Sequence, residues 1–242
     1  MKKLLAIIIA AIMVLSFAGC GNSTAEFEEL LISEKWVSIH SGGKMDFKNR
    51  KFESASVSSG FEYEILNSKT VIEKVEFFSF SNTIEYKLEN EDGIYKLVSE
   101  NAQFVRESDF EKIRENIEFP KDIPYAIVKD NDGKTKTMPY EELVLINKEN
   151  EVKFDNLYSG AEITIFGKIS KIGGGINMSG HKMKAYVEIG ERYVVEISDP
   201  SVLNNYEVGD YVKAKGNIFS ATLYVEVFIN GRNKTTIEHY NG

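Results

Sequence analysis

The chain has 242 residues and a formal net charge of −8 at pH 7, from 29 Lys and Arg against 37 Asp and Glu. Its apolar fraction of 43% and charged fraction of 27% are typical of globular proteins, which excludes a disordered chain, a collagen and a multi-span membrane protein. The acidic balance disfavours a general nucleic-acid binder, because neutralising phosphates requires a basic surface. The length leaves room for two modest domains.

The N-terminus has the pattern of a removable targeting segment. Lys2 and Lys3 provide a positive start, and residues 4–15 are apolar without interruption. At 1.5 Å per residue this run is too short to span the roughly 30 Å hydrocarbon core of a bilayer. We therefore predict a signal peptide over residues 1–19 rather than a transmembrane helix.

The chain has one cysteine, Cys20, which directly follows the small residues Ala18 and Gly19. This ending resembles the lipobox of bacterial lipoproteins. The resemblance implies that Cys20 carries a diacylglycerol and that residues 20–25 form a lipidated tether. Two acyl chains anchor a protein stably to a membrane, whereas a single chain gives only marginal binding. We expect an extracytoplasmic protein anchored to the cell membrane by this lipid; the alternative is an ordinary secretory cysteine without a disulfide partner.

Residues 26–118 predict a small β domain. The capping-box spacing of Ser23 and Glu26 indicates a short helix, after which polar and apolar residues alternate between short turn sequences. The alternating segments are 44–47, 61–65, 83–88 and 93–98. They predict an antiparallel meander that curls into a small barrel or half-barrel.

This meander, opening on Glu34-Lys35-Trp36, weakly resembles the lipocalin-like domains of bacterial lipoproteins. The resemblance implies either a ligand-filled barrel or a packed structural module, and about ninety residues is short for a ligand-holding barrel. Ser108 and Glu111 again have capping-box spacing, which predicts a closing helix. Residues 119–137, with their two prolines, are predicted to be a linker.

Residues 138–242 predict a second β domain. A helical stripe is followed by five segments of period-two alternation, with a helical interruption between the third and the fourth. The alternating segments include 163–169, 185–189, 193–197, 211–214 and 223–229. This is the layout of an OB-fold barrel with short helices, so the expected fold class is mainly β: a meander or half-barrel followed by a five-stranded OB-fold barrel.

Several short motifs in residues 138–231 resemble the tRNA-anticodon-binding-like OB-fold family of secreted bacterial proteins. They are Asn150-Glu151, Tyr158-Ser159-Gly160, the strand 163–172 with Gly167, and the run 208–212 that leads to Gly216. The resemblance implies a fold, and a fold does not settle a function.

The segment 168–184 is the candidate ligand-binding region. It joins the first two predicted barrel strands, contains three consecutive glycines and has no acid. Its cationic side chains are Lys168, Lys171, His181, Lys182 and Lys184. Because this connection is a customary ligand-binding loop of OB-folds, we predict that it binds an anionic envelope ligand. The alternative is a solvated basic hairpin.

The opposite face of the predicted barrel carries four aromatic residues together with glutamates. The aromatic residues are Phe166, Tyr186, Tyr224 and Phe228. Bases stack on aromatic side chains, but neighbouring acids repel phosphate. We expect these aromatic side chains to pack against the preceding helix or the first domain, and we regard nucleic acid as an unlikely partner.

The sequence contains few patterns that are typical of catalytic sites. Ser41–Lys44 and Ser179–Lys182 each match S-x-x-K, but in glycine-rich turns rather than on a helix. The three histidines are far apart in the sequence. We expect no catalytic residue, no metal ligand and no cofactor, and a function as a non-catalytic binding or adaptor lipoprotein at the cell envelope, with an anionic ligand or a protein as partner. The alternatives are an OB-fold nucleic-acid-binding protein and an envelope hydrolase with an unrecognised site.

Overall fold

The fold is described from a computed structural model that covers residues 23–77, 80–176, 182–190, 192–221, 227–230 and 235–241. The strands form two sheets, called sheet A and sheet B, and the helices are short. The expected fold class, mainly β with two successive β units and short helices, is confirmed. Within the covered ranges, no helix is both long enough and apolar enough to cross a membrane. The predicted signal peptide and Cys20 lie before the first described residue.

Sheet A is a nine-stranded antiparallel meander whose two edges approach each other. The strands have the order β4-β3-β2-β1-β9-β8-β7-β6-β5. The chain runs from β4 into β5 through Phe61, whose backbone N–H donates to the Arg50 carbonyl at 3.0 Å. The sheet is therefore a nearly closed barrel. Its strands are β1 Trp36–Ser38, β2 Lys44–Asp46, β3 Lys51–Glu53, β4 Ser58–Gly60, β5 Glu62–Asn67, β6 Thr70–Phe77, β7 Phe80–Glu91, β8 Ile94–Val98 and β9 Gln103–Arg106.

Helix α1, Thr24–Ser33, fills part of the concave side of sheet A. The predicted capping box is present: the Glu26 N–H donates to Ser23 Oγ at 3.2 Å, and the Ser23 N–H donates to the Glu26 carboxylate at 2.6 Å. The helix buries Phe27 and Leu31 completely. Trp36 Nε1 donates to the Leu31 carbonyl at 3.1 Å, which fastens the end of the helix to β1.

Helix α2, Glu107–Ile113, covers the outer face of sheet A, and its cap differs from the prediction. It begins at Glu107 without a side-chain cap. The Ser108 N–H and hydroxyl instead donate to the Glu34 carboxylate, at 2.8 and 2.9 Å. The predicted capping box is absent because Ser108 lies inside the helix and binds the loop before β1. A 3₁₀ turn, Arg114–Asn116, follows.

Sheet B contains a closed ring of five strands. The ring runs β12-β13-β14-β16-β15 and back to β12, and its one parallel pair is β14 with β16. A 3₁₀ helix, Pro200–Asn205, lies between the third and fourth ring strands in the chain, where an interruption was predicted. The elements are β10 Tyr125–Lys129, β11 Thr135–Pro139, α3 Glu142–Glu149, α4 Glu151–Tyr158, β12 Glu162–Ile176, β13 Lys182–Ile189, β14 Tyr193–Glu196, β15 Tyr211–Ala221, β16 Val227–Asn230 and β17 Thr236–His239.

The segment 119–137, predicted as a linker, contributes a hairpin to sheet B. Strand β10 pairs with β11 and also with the first half of β12. Ala126 and Val128 are fully buried and belong to the core of sheet B. Pro120 and Pro124 lie before β10, so they do not interrupt the hairpin, whose buried apolar side chains favour its place in the sheet.

The two β units are joined by specific polar contacts. Lys148 Nζ in α3 donates to the Ala55 carbonyl at 2.6 Å, and the Glu141 N–H donates to the Ser41 carbonyl at 3.0 Å. The buried Arg114 guanidinium donates to the Glu142 carboxylate at 2.6 and 2.8 Å. These contacts hold the sheet A unit against the sheet B unit.

Candidate functional site

A cavity of about 960 Å³ lies between the concave face of sheet A and sheet B. We call it the intersheet cavity. Sheet A and its loops line it with apolar side chains that include Met45, Phe52, Val75, Ile84 and Phe104. The sheet B unit lines it with Ile123, Pro124, Tyr140 and Ile169. Side chains of both units therefore line one space, together with polar residues from each.

The alternation of β6 and β7 places one acid on this apolar wall. Val71, Glu73 and Val75 share the concave side of β6. Glu73 is directly opposite Ile84 on β7. The sequence signal was present, because Glu73 occupies an inward register position of a strand, but sequence reasoning missed it. Glu73 is 4% exposed.

Glu73 is hydrogen-bonded to Tyr86. The Tyr86 hydroxyl donates to Glu73 Oε2 at 2.8 Å. Burial raises the pKa of the Glu73 carboxyl, and the tyrosine bond opposes part of that rise. Burial also raises the pKa of Tyr86, so the phenol stays protonated and remains a donor. Among the described residues, no ion pair joins Glu73 to a base.

The sheet B side of the cavity carries two cationic side chains with nearby acids. Lys168 Nζ lies 2.9 Å from the Asp122 carboxylate. An Arg192 guanidinium nitrogen lies 3.9 Å from the buried Glu141 carboxylate, and the guanidinium lies over the Tyr140 ring. The cations at this side of the cavity therefore already have carboxylate neighbours.

Two glycines of the sheet B unit lie against Pro124, which lines the same cavity. Gly190 has a φ of +58°, and a Cβ there would lie 2.3 Å from Pro124 Cγ. Gly167 on β12 is also close to Pro124, because a Cβ would lie 2.9 Å from Pro124 Cβ. Because neither glycine has a side chain, the segment before β10 can lie directly against the five-stranded ring of sheet B.

The predicted anion-binding region is mostly regular strand. β12 extends to Ile176, and β13 begins at Lys182. Lys171 Nζ lies 3.1 Å from the Glu188 carboxylate and also over the Tyr186 ring. Of the five predicted ligand-binding residues, Lys168 lines the intersheet cavity and Lys171 forms an ion pair with Glu188. Lys182 and Lys184 lie on β13. His181 lies outside the described residues.

On the predicted aromatic face, the Phe166 ring is already in contact with other aromatic rings of the protein. Its ring stacks on Tyr125 at 4.8 Å between centroids, and Tyr125 stacks on Phe119 at 4.4 Å. Tyr240 contacts the Phe166 ring edge-on at 5.1 Å. Tyr186 is buried, Phe228 lies on β16, and Tyr224 lies outside the described residues. The ring partners of Phe166 are therefore Tyr125, the first residue of β10, and Tyr240 near the C-terminus.

The lysine of the S-x-x-K pattern at residues 41–44 lies close to two acids. Lys44 Nζ lies 2.9 Å from the Glu149 carboxylate and 3.2 Å from that of Glu107. Burial opposes the charge of Lys44, but these two acids raise its pKa above the usual value, which disfavours a role as a base. The second match, 179–182, falls largely outside the described residues. Where the structure describes the chain, no group of three metal-ligating side chains is close enough to hold an ion.

Comparisons of the chain with protein-family models, with curated proteins and with solved structures find no match.

Proposed function

We propose that the protein is a lipid-anchored extracytoplasmic lipoprotein that binds a small amphipathic ligand in the intersheet cavity without catalysis. The observation that carries the proposal is the cavity itself. Its volume of about 960 Å³ lies within the range of ligand pockets, and apolar side chains of both units line it together with polar and charged ones. The lipid anchor rests on the lipobox-like ending at Cys20.

We also propose that the five-stranded ring of sheet B is an OB-fold. The order β12-β13-β14-β16-β15, with a short helix before the fourth strand, is consistent with an OB-fold. Nucleic-acid binding is the alternative function for such a ring. The described lysines argue against it, because a polyanion would have to displace Asp122 from Lys168 and Glu188 from Lys171.

The cavity proposal predicts that the protein binds the apolar fluorescent probe N-phenyl-1-naphthylamine. The chain from residue 21 onwards contains every element described above and avoids lipid and detergent, which would also take up the probe. Ala102 lines the cavity, so Ala102→Trp should fill part of the space and weaken probe binding at least about tenfold. Fluorescence titration measures the affinity.

The matched control is Leu66→Trp, which adds the same ring at a position that is 48% exposed and outside the cavity lining. We expect it to bind the probe like the wild type. Equal probe binding by the Ala102→Trp and Leu66→Trp variants would contradict the proposed site, and so would no probe binding by the wild type.

The lipid anchor predicts that Cys20→Ala abolishes fatty-acid labelling, because Cys20 supplies the only thiol in the chain. The variant should accumulate as an unprocessed or misprocessed form. Metabolic labelling with a fatty acid, followed by gel separation, measures both effects. Equal label in wild type and variant would contradict lipidation at this residue.

A further inference from the structure

We propose that the intersheet cavity is selective for an amphipathic cation, in which an apolar body carries an ammonium group that binds Glu73. The inference rests on the proposed function of the cavity and adds the chemical class of its ligand. It names the side chain that would distinguish an alkylammonium from an alkyl carboxylate of the same length.

The position of Glu73 is the first step of the argument. Its carboxylate lies on the concave wall, between Val75 along its own strand and Ile84 across the ladder, and both of these side chains line the cavity. An ammonium bound there would place its apolar chain against those walls. Charge recognition and apolar burial are therefore available in the same space.

The second step is the unused acceptor capacity of Glu73. An ionised carboxylate has about four acceptor positions, and Tyr86 supplies one donor. A charged group buried in apolar surroundings is costly unless it is paired and hydrogen-bonded. An ammonium has three donors and a positive charge, so it supplies both requirements.

The third step concerns the other charged groups that line the cavity. Lys168 already has Asp122 at 2.9 Å, and Arg192 has Glu141 at 3.9 Å. His40 lies on the sheet A side, where burial lowers its pKa and keeps its ring neutral at pH 7. An anionic ligand would therefore compete with existing carboxylates and would also face Glu73.

Protonation of Glu73 gives a pH dependence with a definite sign. The ammonium pairs with the ionised carboxylate, and the pKa of Glu73 is raised above its ordinary value in the free protein. Affinity should fall as the pH is lowered through that pKa. An alkylammonium stays charged over this range, because amines of this kind lose their proton near pH 10.

The test is displacement of N-phenyl-1-naphthylamine by dodecylamine and by dodecanoate, both below their micelle concentrations, at pH 7. We expect the wild type to bind dodecylamine at least about tenfold more tightly than dodecanoate, which corresponds to about 1.4 kcal/mol. Glu73→Gln should remove this preference without loss of probe binding.

The matched control is Glu85→Gln, which neutralises an exposed acid on the neighbouring strand β7. We expect it to behave like the wild type. The proposed ligand class is wrong if the wild type binds the probe but prefers dodecanoate or shows no preference. It is also wrong if the Glu73→Gln variant retains the preference for dodecylamine. In both cases the cavity remains the proposed binding site. If the wild type binds no probe, both the proposed function and this inference are wrong.

Discussion

Replacing Arg114 by alanine is expected to lower the free energy of unfolding by about 3–5 kcal/mol. The Arg114 side chain is 4% exposed and donates to both oxygens of Glu142 and, at 3.0 Å, to the Thr137 carbonyl. Its guanidinium also lies over the Phe110 ring. The substitution leaves Glu142, which is 15% exposed, without its cation at the contact between the two β units. Urea unfolding followed by circular dichroism measures the change.

The matched control for Arg114 is another arginine with a glutamate partner. Arg50 lies 2.6 Å from Glu62, but both side chains are more than half exposed. Exposed pairs contribute little, so Arg50→Ala should change the free energy of unfolding by less than about 1 kcal/mol. A double replacement, Arg114→Met with Glu142→Leu, should recover most of the loss. Equal effects of Arg114→Ala and Arg50→Ala would show that the buried pair does not join the units.

Replacing Trp36 by alanine is expected to lower the free energy of unfolding by about 3–5 kcal/mol as well. The side chain is fully buried in the core of sheet A, and its indole N–H is bonded to Leu31. The substitution opens a cavity and leaves helix α1 without that bond. Because Trp36 is the only tryptophan, unfolding is followed by circular dichroism rather than by fluorescence.

Two further substitutions separate packing from the hydrogen bond. Trp36→Phe keeps an aromatic ring and should recover part of the loss, since the Leu31 bond and some volume are still missing. Val152→Ala removes methyl groups from a side chain that is 70% exposed and should change the free energy of unfolding by less than about 0.5 kcal/mol. A Trp36→Ala loss as small as that of Val152→Ala would contradict the described core.

Local sequence patterns predicted the elements whose signals are local. The Ser23 and Glu26 pair forms the capping box as expected, and the alternation in residues 83–88 lies within strand β7. The prediction at Ser108 was wrong because a capping-box spacing does not reveal that Glu34, distant in the sequence, supplies the acceptor. The hairpin formed by β10 and β11 belongs to sheet B rather than to a linker, and local patterns did not show this because its burial depends on pairing with β12.

The candidate site was harder to predict because it lies between two units. No sequence pattern places Val75 of one sheet opposite Ile169 of the other, although both line the cavity. The basic residues predicted to bind an anion have acidic neighbours that are distant in the sequence. Lys168 and Lys171 prove to lie beside Asp122 and Glu188, which are 46 and 17 positions away. Glu73 was not identified from the sequence, because the burial of its side chain among the residues of sheet A is a property of the folded sheet.

The most direct measurement of the central claim is the location of bound N-phenyl-1-naphthylamine, mapped by amide chemical-shift changes in the chain from residue 21 onwards. We expect the largest changes at residues of both units that line the intersheet cavity, including Val75, Ile84, Phe104 and Ile169. Saturable binding with the largest changes on the outer face of either sheet, away from these residues, would contradict it.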